Sequence, residues 1–254
     1  MLYQEREDFI KKELQLKTIV KTHELMRDMN ISIDTVRRDL KKMEEDGLLK
    51  CVRGGATSID QSTTIATAPF DEREIIHVVN KRIAAKKAIS YIKEGYTVAL
   101  NSGTTNVILA SEMLHIQFPF TVITNNLSVI TILSKVPHIT LIGIGGFLDK
   151  VENSFYGKSC ENEFKQYNPD ISFLSINAVS IENGFSDFRY NDFPIINVLK
   201  KRSDYCIAIM DSSKFGKKSK KNLFKISEID LLISDDSINN SQKELFKEHG
   251  IQII

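Results

Sequence analysis

No apolar run in this 254-residue chain approaches the roughly 18 residues that would suggest a membrane span. The first residues, MLYQEREDFIKKEL, are charged throughout and contain no apolar core of a signal peptide. A cytoplasmic chain without a membrane partner is therefore expected. Cysteine is scarce: Cys51, Cys160 and Cys206 are odd in number, far apart and not in a CxxC, which excludes a disulfide framework and a zinc ribbon. The five histidines are scattered, with no HExxH or HxxxH, so neither a metal site nor a cofactor is expected. There is no excess of charge either. The net charge is +1, and residues 1–58 carry 12 Lys/Arg against 11 Asp/Glu. Any nucleic-acid surface has to come from arrangement. Internal repeats are absent too.

What is present falls into two blocks. A hydrophobic content of 42% and a charged content of 26% suit a soluble globular protein, and the length allows two domains. The chain changes character at Ser58, where SIDQSTTIATAP shows no amphipathic repeat. The expected organisation is a first domain over 1–57, a linker over 58–70 and a second domain over 71–254.

The first block predicts helices over Gln4–Leu16, Thr22–Met29 and Ile33–Glu45, with Ser32 as N-cap of the third and Gly47 as a stop signal after it. LLKCV and RGGATSI then suggest a hairpin turning at Gly54-Gly55. Three helices and a hairpin describe a winged helix-turn-helix. On the third helix, Ile33, Val36, Leu40 and Met43 make an apolar stripe. Adjacent residues are about 100° apart, so Arg37 and Arg38 diverge. Arg38 points away from the stripe with Lys42 beside it, and Arg37 lies on the flank next to Lys41. A helix in a major groove needs that division between base edges and the sugar-phosphate wall. A solvated amphipathic helix would carry the same charges, partly balanced by Asp34, Glu44 and Glu45.

The second block alternates strand-like and helical runs. Strands are expected at Thr97–Leu100, Phe120–Thr124, Ile139–Ile144, Ile171–Ile176, Tyr205–Met210, Asp230–Ser234 and Ile251–Ile254. Helices are expected at Arg82–Ile92, Asn106–Leu114, Ser128–Leu133, Glu161–Tyr167, Ile195–Arg202 and Ser241–His249. This pattern predicts a mainly parallel α/β sheet, whose ligands sit beyond the carboxyl ends of the strands.

Three strand ends are chemically loaded. NSGTTN offers a tight turn at Gly103, hydroxyls from Ser102, Thr104 and Thr105, and free N–H groups at a helix start, which suit a phosphate. A capped turn without a ligand would read the same, and no GKS or GKT follows to make a Walker A loop. TNN, with Asn125 in its middle, offers amides for sugar hydroxyls or for capping the next helix. DSSKFG places Lys214 after an apolar strand, where a point charge would complement a phosphate. GIGG at 143–146 is not GxGxxG, so a dinucleotide site is not indicated.

These residues resemble the DeoR family of bacterial transcriptional regulators. The family pattern TxRRDLxxLExxGxLxRxxGGA is met by Val36-Arg37-Arg38-Asp39-Leu40, Glu44, Gly47 and Gly54-Gly55-Ala56, with Met43 in the apolar place before Glu44. The second block agrees in order: PFDERE with Lys81 and Ile83-Ala84, SGTT at 102–105, TNN at 124–126, GG at 145–146, DSSKFG at 211–216 and IDLLISD at 229–235. The resemblance implies a second domain similar to ribose-5-phosphate isomerase that binds a phosphorylated sugar through Ser102, Gly103, Thr104, Thr105 and Lys214, with Asn125, Asn177 and Gly184 nearby. Three positions depart from the family. Asn101 stands where many members have Asp, FLDK follows Gly146, and the acidic position around Asp187–Asp192 has no obvious occupant.

The expectation is a non-enzymatic regulator, a repressor of a carbohydrate catabolism operon controlled by a phosphorylated sugar. It would hold double-stranded operator DNA through Ser32, Asp34, Thr35, Arg37, Arg38, Lys41, Lys42 and the wing residue Arg53, and act as a homo-oligomer, dimer or tetramer. The rival is a sugar-phosphate isomerase with an N-terminal DNA-binding appendage. It would need a carboxylate base, for which Glu182, Asp187 and Asp211 are the candidates.

Overall fold

Asn30 ends the second helix in a left-handed conformation, φ 51°, which an asparagine tolerates. Its N–H and that of Ile31 return to Arg27 O and Met26 O, and Ser32, two residues on, caps the next helix. That turn joins α2 (Thr22–Met29) to α3 (Ile33–Glu45), with α1 (Tyr3–Lys17) before them. The computed structural model describes residues 2–17, 19–46, 48–52, 54–57 and 70–254. Gly47, Arg53 and all of the expected linker except Phe70 lie outside the described residues. Phe70 itself is buried at the start of a helix.

The chain divides into two compact units, Met1–Ile65 and Ala66–Ile254. In the first, β2 (Lys50–Val52) and β3 (Gly55–Thr57) form the expected hairpin. A third strand, β1 (Ile19–Lys21), joins β3 from the other side, with Val20 opposite Ala56. The sequence did not announce β1, because three residues running straight into a helix show no alternation. Gly55 faces this crossing. A Cβ there would lie 2.0 Å from Val20 O, so only glycine lets the strands meet. Ile10, Leu14, Val20, Leu25, Val36, Leu40, Met43 and Leu49 form the core, each worth about 1.5–3 kcal/mol when fully buried.

The second unit is built on a six-stranded parallel sheet of β4 (Thr97–Leu100), β5 (Phe120–Thr124), β6 (Ile139–Gly143), β9 (Ile171–Ser175), β12 (Tyr205–Ile209) and β14 (Leu231–Ile233). Their spatial order is β14-β12-β9-β4-β5-β6. The expected strand at 251–254 is instead an irregular edge: Ile253 bridges Leu232, and Ile254 N donates to Leu232 O. Two short antiparallel elements were not foreseen. One is a hairpin of β7 (Phe147–Asp149) and β8 (Ser154–Tyr156), and the other a small sheet of β10 (Ala178–Ser180), β11 (Gly184–Asp187) and β13 (Lys221–Phe224). Strands this short carry no readable period.

Helices cover both faces of the large sheet. On one side lie α4 (Phe70–Ile75), α5 (Val78–Ile89), α6 (Thr104–Met113) and α7 (Leu127–Leu133), where Ala84, Ala85 and Ala88 let α5 approach α6 closely. On the other lie α8 (Lys158–Phe164), α9 (Phe193–Arg202) and α10 (Asn240–Glu248), packed through Phe164, Ile195, Ile196, Leu199 and Phe246. The strand order reverses at β4, which pairs with β5 on one side and β9 on the other. A crevice opens at such a reversal, beyond the carboxyl ends of the two strands.

Candidate functional site

On α3 the core face is Val36, Asp39, Leu40 and Met43. Asp39 is a correction to the expected stripe, in which Ile33 stood and is only half-buried. A carboxylate is tolerated there because Arg6 on α1 grips it with two hydrogen bonds, 2.6 Å from Nε and 3.0 Å from Nη2. The exchange turns the outward pole of the helix slightly, so that Asp34 and Lys41 share it with Arg38. Arg37, Arg38, Lys41 and Lys42 are all exposed. Arg37 pairs loosely with Asp34 at 3.5 Å, and the Lys42 ammonium sits 4.0 Å over the Tyr3 ring, on the flank towards α1. Ser32 caps the helix: its Oγ accepts from Thr35 N at 3.2 Å and lies 2.8 Å from Thr35 Oγ1. Glu44 accepts from Cys51 N at 2.7 Å and so ties the end of α3 to the wing.

In the second unit the NSGTTN loop runs from β4 into α6 at the sheet reversal. It is buried: Asn101 and Ser102 are fully covered, and Thr104 and Thr105 nearly so. Gly103 is the N-cap of α6, with φ 131° and no side-chain cap on the helix. A Cβ at Gly103 would lie 2.5 Å from Ser175 Oγ and 3.0 Å from Arg189 Nη1. Glycine is therefore required here by packing as well as conformation. Asn101 locks the reversal together. Its Oδ1 accepts from Ser175 N at 2.8 Å, and its Nδ2 donates to Ser175 O at 3.1 Å and to Asp192 Oδ2 at 2.9 Å.

The unplaced acidic position turns out to be a buried ionic network. Arg189 donates from Nε to Asp187 Oδ1 at 3.0 Å, from Nη2 to Asp187 Oδ2 and to Ser175 O at 2.6 Å, and from Nη1 to Ser102 O at 2.7 Å. Asp192 lies 3.4 Å from the same guanidinium. Burial pushes both carboxyls up. At Asp187 the Arg189 charge and the N–H groups of Phe188 and Arg189 outweigh it and hold the group below the carboxylate range, whereas Asp192 stays above it. Beside this network Arg73 pairs with Glu152, which burial raises.

Lys214 ends a short 3-10 turn, Ser212–Lys214, directly after β12. No hydrogen bond or ion pair holds its Nζ among the described residues. Burial lowers its pKa, with Asp211 opposing and Arg73 adding to the drop. Lys81 of α5 is buried and donates to Arg73 O at 2.5 Å. Burial first, then Lys214 and Arg73, push it down to about 8 against the pull of Asp211. His77, which begins α5, is likewise lowered by burial. Two cations, Lys81 and Lys214, thus gather about Asp211, whose Oδ2 is buried without a partner, and Arg73 adds its charge beside both lysines. Lys81 had a signal in the sequence: with Ala84, Ala85 and Ala88 it falls on one helical stripe, a lysine in an apolar face.

The remaining expected residues have structural engagements. Asn125 donates to Phe155 O at 2.7 Å, fastening β5 to β8. Asn177 N donates to Asp187 Oδ2 at 3.1 Å. Gly184 has φ 64°, and a Cβ there would lie 2.2 Å from Phe224 O, where β11 meets β13. Among the described residues, no group of three or more His, Cys, Asp or Glu could hold a metal.

Residues 6–62 match the model of the DeoR-like helix-turn-helix domain, and residues 76–236 that of the DeoR C terminal sensor domain. The chain belongs to the DeoR family. The resemblance read from its motifs therefore holds, and it is a transcriptional regulator with a winged reading head followed by a mainly parallel α/β sensor. It is 30% identical over 249 residues to the HTH-type transcriptional regulator GolR of Listeria innocua, covering 98% of this chain and 97% of that one. The lactose phosphotransferase system repressor of Staphylococcus epidermidis is 30% identical over 260 residues, covering 98% of each. The glycerol-3-phosphate regulon repressor of Escherichia coli is 26% identical, covering 92% and 91%. Among solved structures, ribose 5 phosphate isomerase A from Neisseria gonorrhoeae overlaps 53% of this DeoR-family chain and 52% of its own, with a TM-score of 0.40 and 15% identity.

Proposed function

We propose that the chain represses a carbohydrate operon by holding double-stranded operator DNA with α3, and that a phosphorylated sugar bound in the second unit controls that hold. Lys214 carries the reading: a half-buried ammonium without an ion pair, next to Lys81, calls for an anion from outside. The names of relatives that repress lactose and glycerol-3-phosphate systems support the same class. Ser102, Gly103, Thr104 and Thr105 would shape the phosphate end, with Lys81 joining Lys214. The protein acts as a binder in the cytoplasm, as a dimer or tetramer that pairs two reading heads; sedimentation of the full chain measures that state. No helix among the described residues is long and apolar enough to cross a membrane.

Lys214→Met keeps the length and removes the charge. It is expected to weaken sugar-phosphate binding about 10- to 100-fold, the size of one charge-assisted hydrogen bond. Calorimetry on both proteins with the same ligand checks this, and equal affinities would return Lys214 to a structural role. Because Lys81 loses its proton near pH 8, binding should also weaken as pH rises through that value.

On DNA, Arg38→Ala is expected to cost about 1–3 kcal/mol on operator and to relax sequence choice. Arg37→Ala and Lys42→Ala should weaken operator and random duplex alike, as phosphate contacts do. Retention assays across salt separate the two, and an Arg38→Ala protein with full operator affinity at every salt would refute the assignment. The isomerase reading rests on Asp211, whose unpaired Oδ2 could serve as a base. Conversion of aldose to ketose phosphate by the purified chain would favour it over the regulator alone.

A further inference from the structure

Next to the cation cluster the structure has a recess of opposite sign. It is an open cleft of about 250 Å³ whose lining includes Ser102, Glu152, Tyr156, Arg189, Tyr190 and Asp192. Asp192 is 4% exposed and precedes α9 without capping it. Its Oδ2 is engaged by Asn101 and Arg189, but its Oδ1 is buried with no partner. The Ser102 hydroxyl also reaches this carboxylate, but Oδ1 makes no direct hydrogen bond and can accept one from a ligand. The other acids of the lining are occupied. Glu152 is held by Arg73, and Asp149 accepts from Asn191 Nδ2 at 2.9 Å and from Val151 N at 3.0 Å. Asp149, Glu152 and Asp192 face a single lining cation, Arg189, and adding the partners Asp187 and Arg73 leaves four acids against two bases.

A sugar hydroxyl would satisfy Oδ1 but leave that charge uncompensated. An ammonium satisfies both. The exposed ring of Tyr190, with Tyr156 and Phe188, offers the apolar surface that a sugar ring covers. We infer that this cleft selects an effector bearing an ammonium group, so that the sensor prefers an amino-sugar phosphate over the corresponding sugar phosphate. The inference rests on the sugar-phosphate reading and adds a second recognised group on the ligand: phosphate towards Lys81 and Lys214, amine on Asp192. Burial also raises the Asp192 carboxyl, and an arriving cation favours its charged form.

The test is calorimetry on the full chain with matched ligands: glucosamine 6-phosphate against glucose 6-phosphate, galactosamine 6-phosphate against galactose 6-phosphate, the two N-acetylated forms, and inorganic phosphate. In at least one pair the amino form should bind at least about tenfold more tightly, the scale of one charged hydrogen bond, and N-acetylation should remove the gain. In Asp192→Asn the gain should disappear. Should that variant not fold, the matched pairs and the N-acetylated controls on the parent protein decide alone. Equal affinities within both pairs, or N-acetyl forms that bind as tightly as the amines, would overturn the inference while leaving the sugar-phosphate reading standing. If neither inorganic phosphate nor any sugar phosphate binds, both fall.

Discussion

Replacing Arg189 with methionine is expected to destabilise the second unit by about 3–5 kcal/mol at neutral pH, because it strands a buried charge. Asp187 is fully covered, and both of its oxygens are held by the lost guanidinium. For a unit of this size each kcal/mol moves the midpoint by roughly 2–4 °C, so the melt should fall by about 10 °C or more. The pH dependence gives the stronger check. In the parent, Asp187 has a depressed folded pKa, so its stabilisation is present above the unfolded value of about 4 and fades as pH falls through the folded one. In the variant, burial acts without Arg189 and the folded pKa moves above the unfolded value, so protonation relieves the penalty. The difference between the two proteins should therefore be largest near pH 7 and should shrink towards pH 4. A difference that stays constant across this range would show that Arg189 stabilises by packing and not by its charge.

Arg6→Met is expected to abolish operator retention even though Arg6 lies on α1 and not on the reading helix. Its partner Asp39 is buried on the core face of α3 and is held by two short hydrogen bonds. Removing the cation should cost about 3 kcal/mol or more. In a unit as small as the first, each kcal/mol is worth roughly 4–8 °C, so the reading head should melt well below the parent. Sugar-phosphate affinity should remain, since those residues lie in the other unit. Arg6→Met combined with Asp39→Leu exchanges the pair for apolar volume and should recover most of the loss. If the single variant keeps its melt and its operator affinity, Asp39 is not anchored in the way the geometry indicates.

The large sheet was legible because its strands are short apolar runs spaced by helical ones, and each central strand was placed within a residue or so of its bounds. The three-residue strands β1, β7, β8 and β10 were not, because a period of two needs more length than that to show. For the reading helix, charge on the exposed face followed from helical phase alone. Asp39 did not, since a carboxylate on a core face is explained only by Arg6, thirty-three positions away. The same limit applied at the sheet reversal. SGTT and Lys214 stand out in the sequence by their strand-end context, whereas Arg189 belongs to a loop whose meaning depends on Ser102 and Ser175 being brought beneath it. Lys81 stands in the sequence both in the family motif and in an alanine stripe, and that stripe marks it as a buried lysine.

The reversal of strand order at β4 also sets the order in which the sensor can assemble. β4, β5 and β6 follow one another with single helices between them, and they pair as neighbours. The other edge of β4 must wait for β9, whose Ile171 lies opposite Val98. Closing a chain loop of that length costs entropy before any contact repays it. During synthesis the half-sheet β4–β6 can therefore form while β9 has yet to emerge. The crevice, with Asn101 on the early half and Ser175 on the late one, closes only when the two halves join. A nascent chain has no such crevice until then, so a ligand of the proposed site can stabilise the finished sensor but cannot guide its first half to fold.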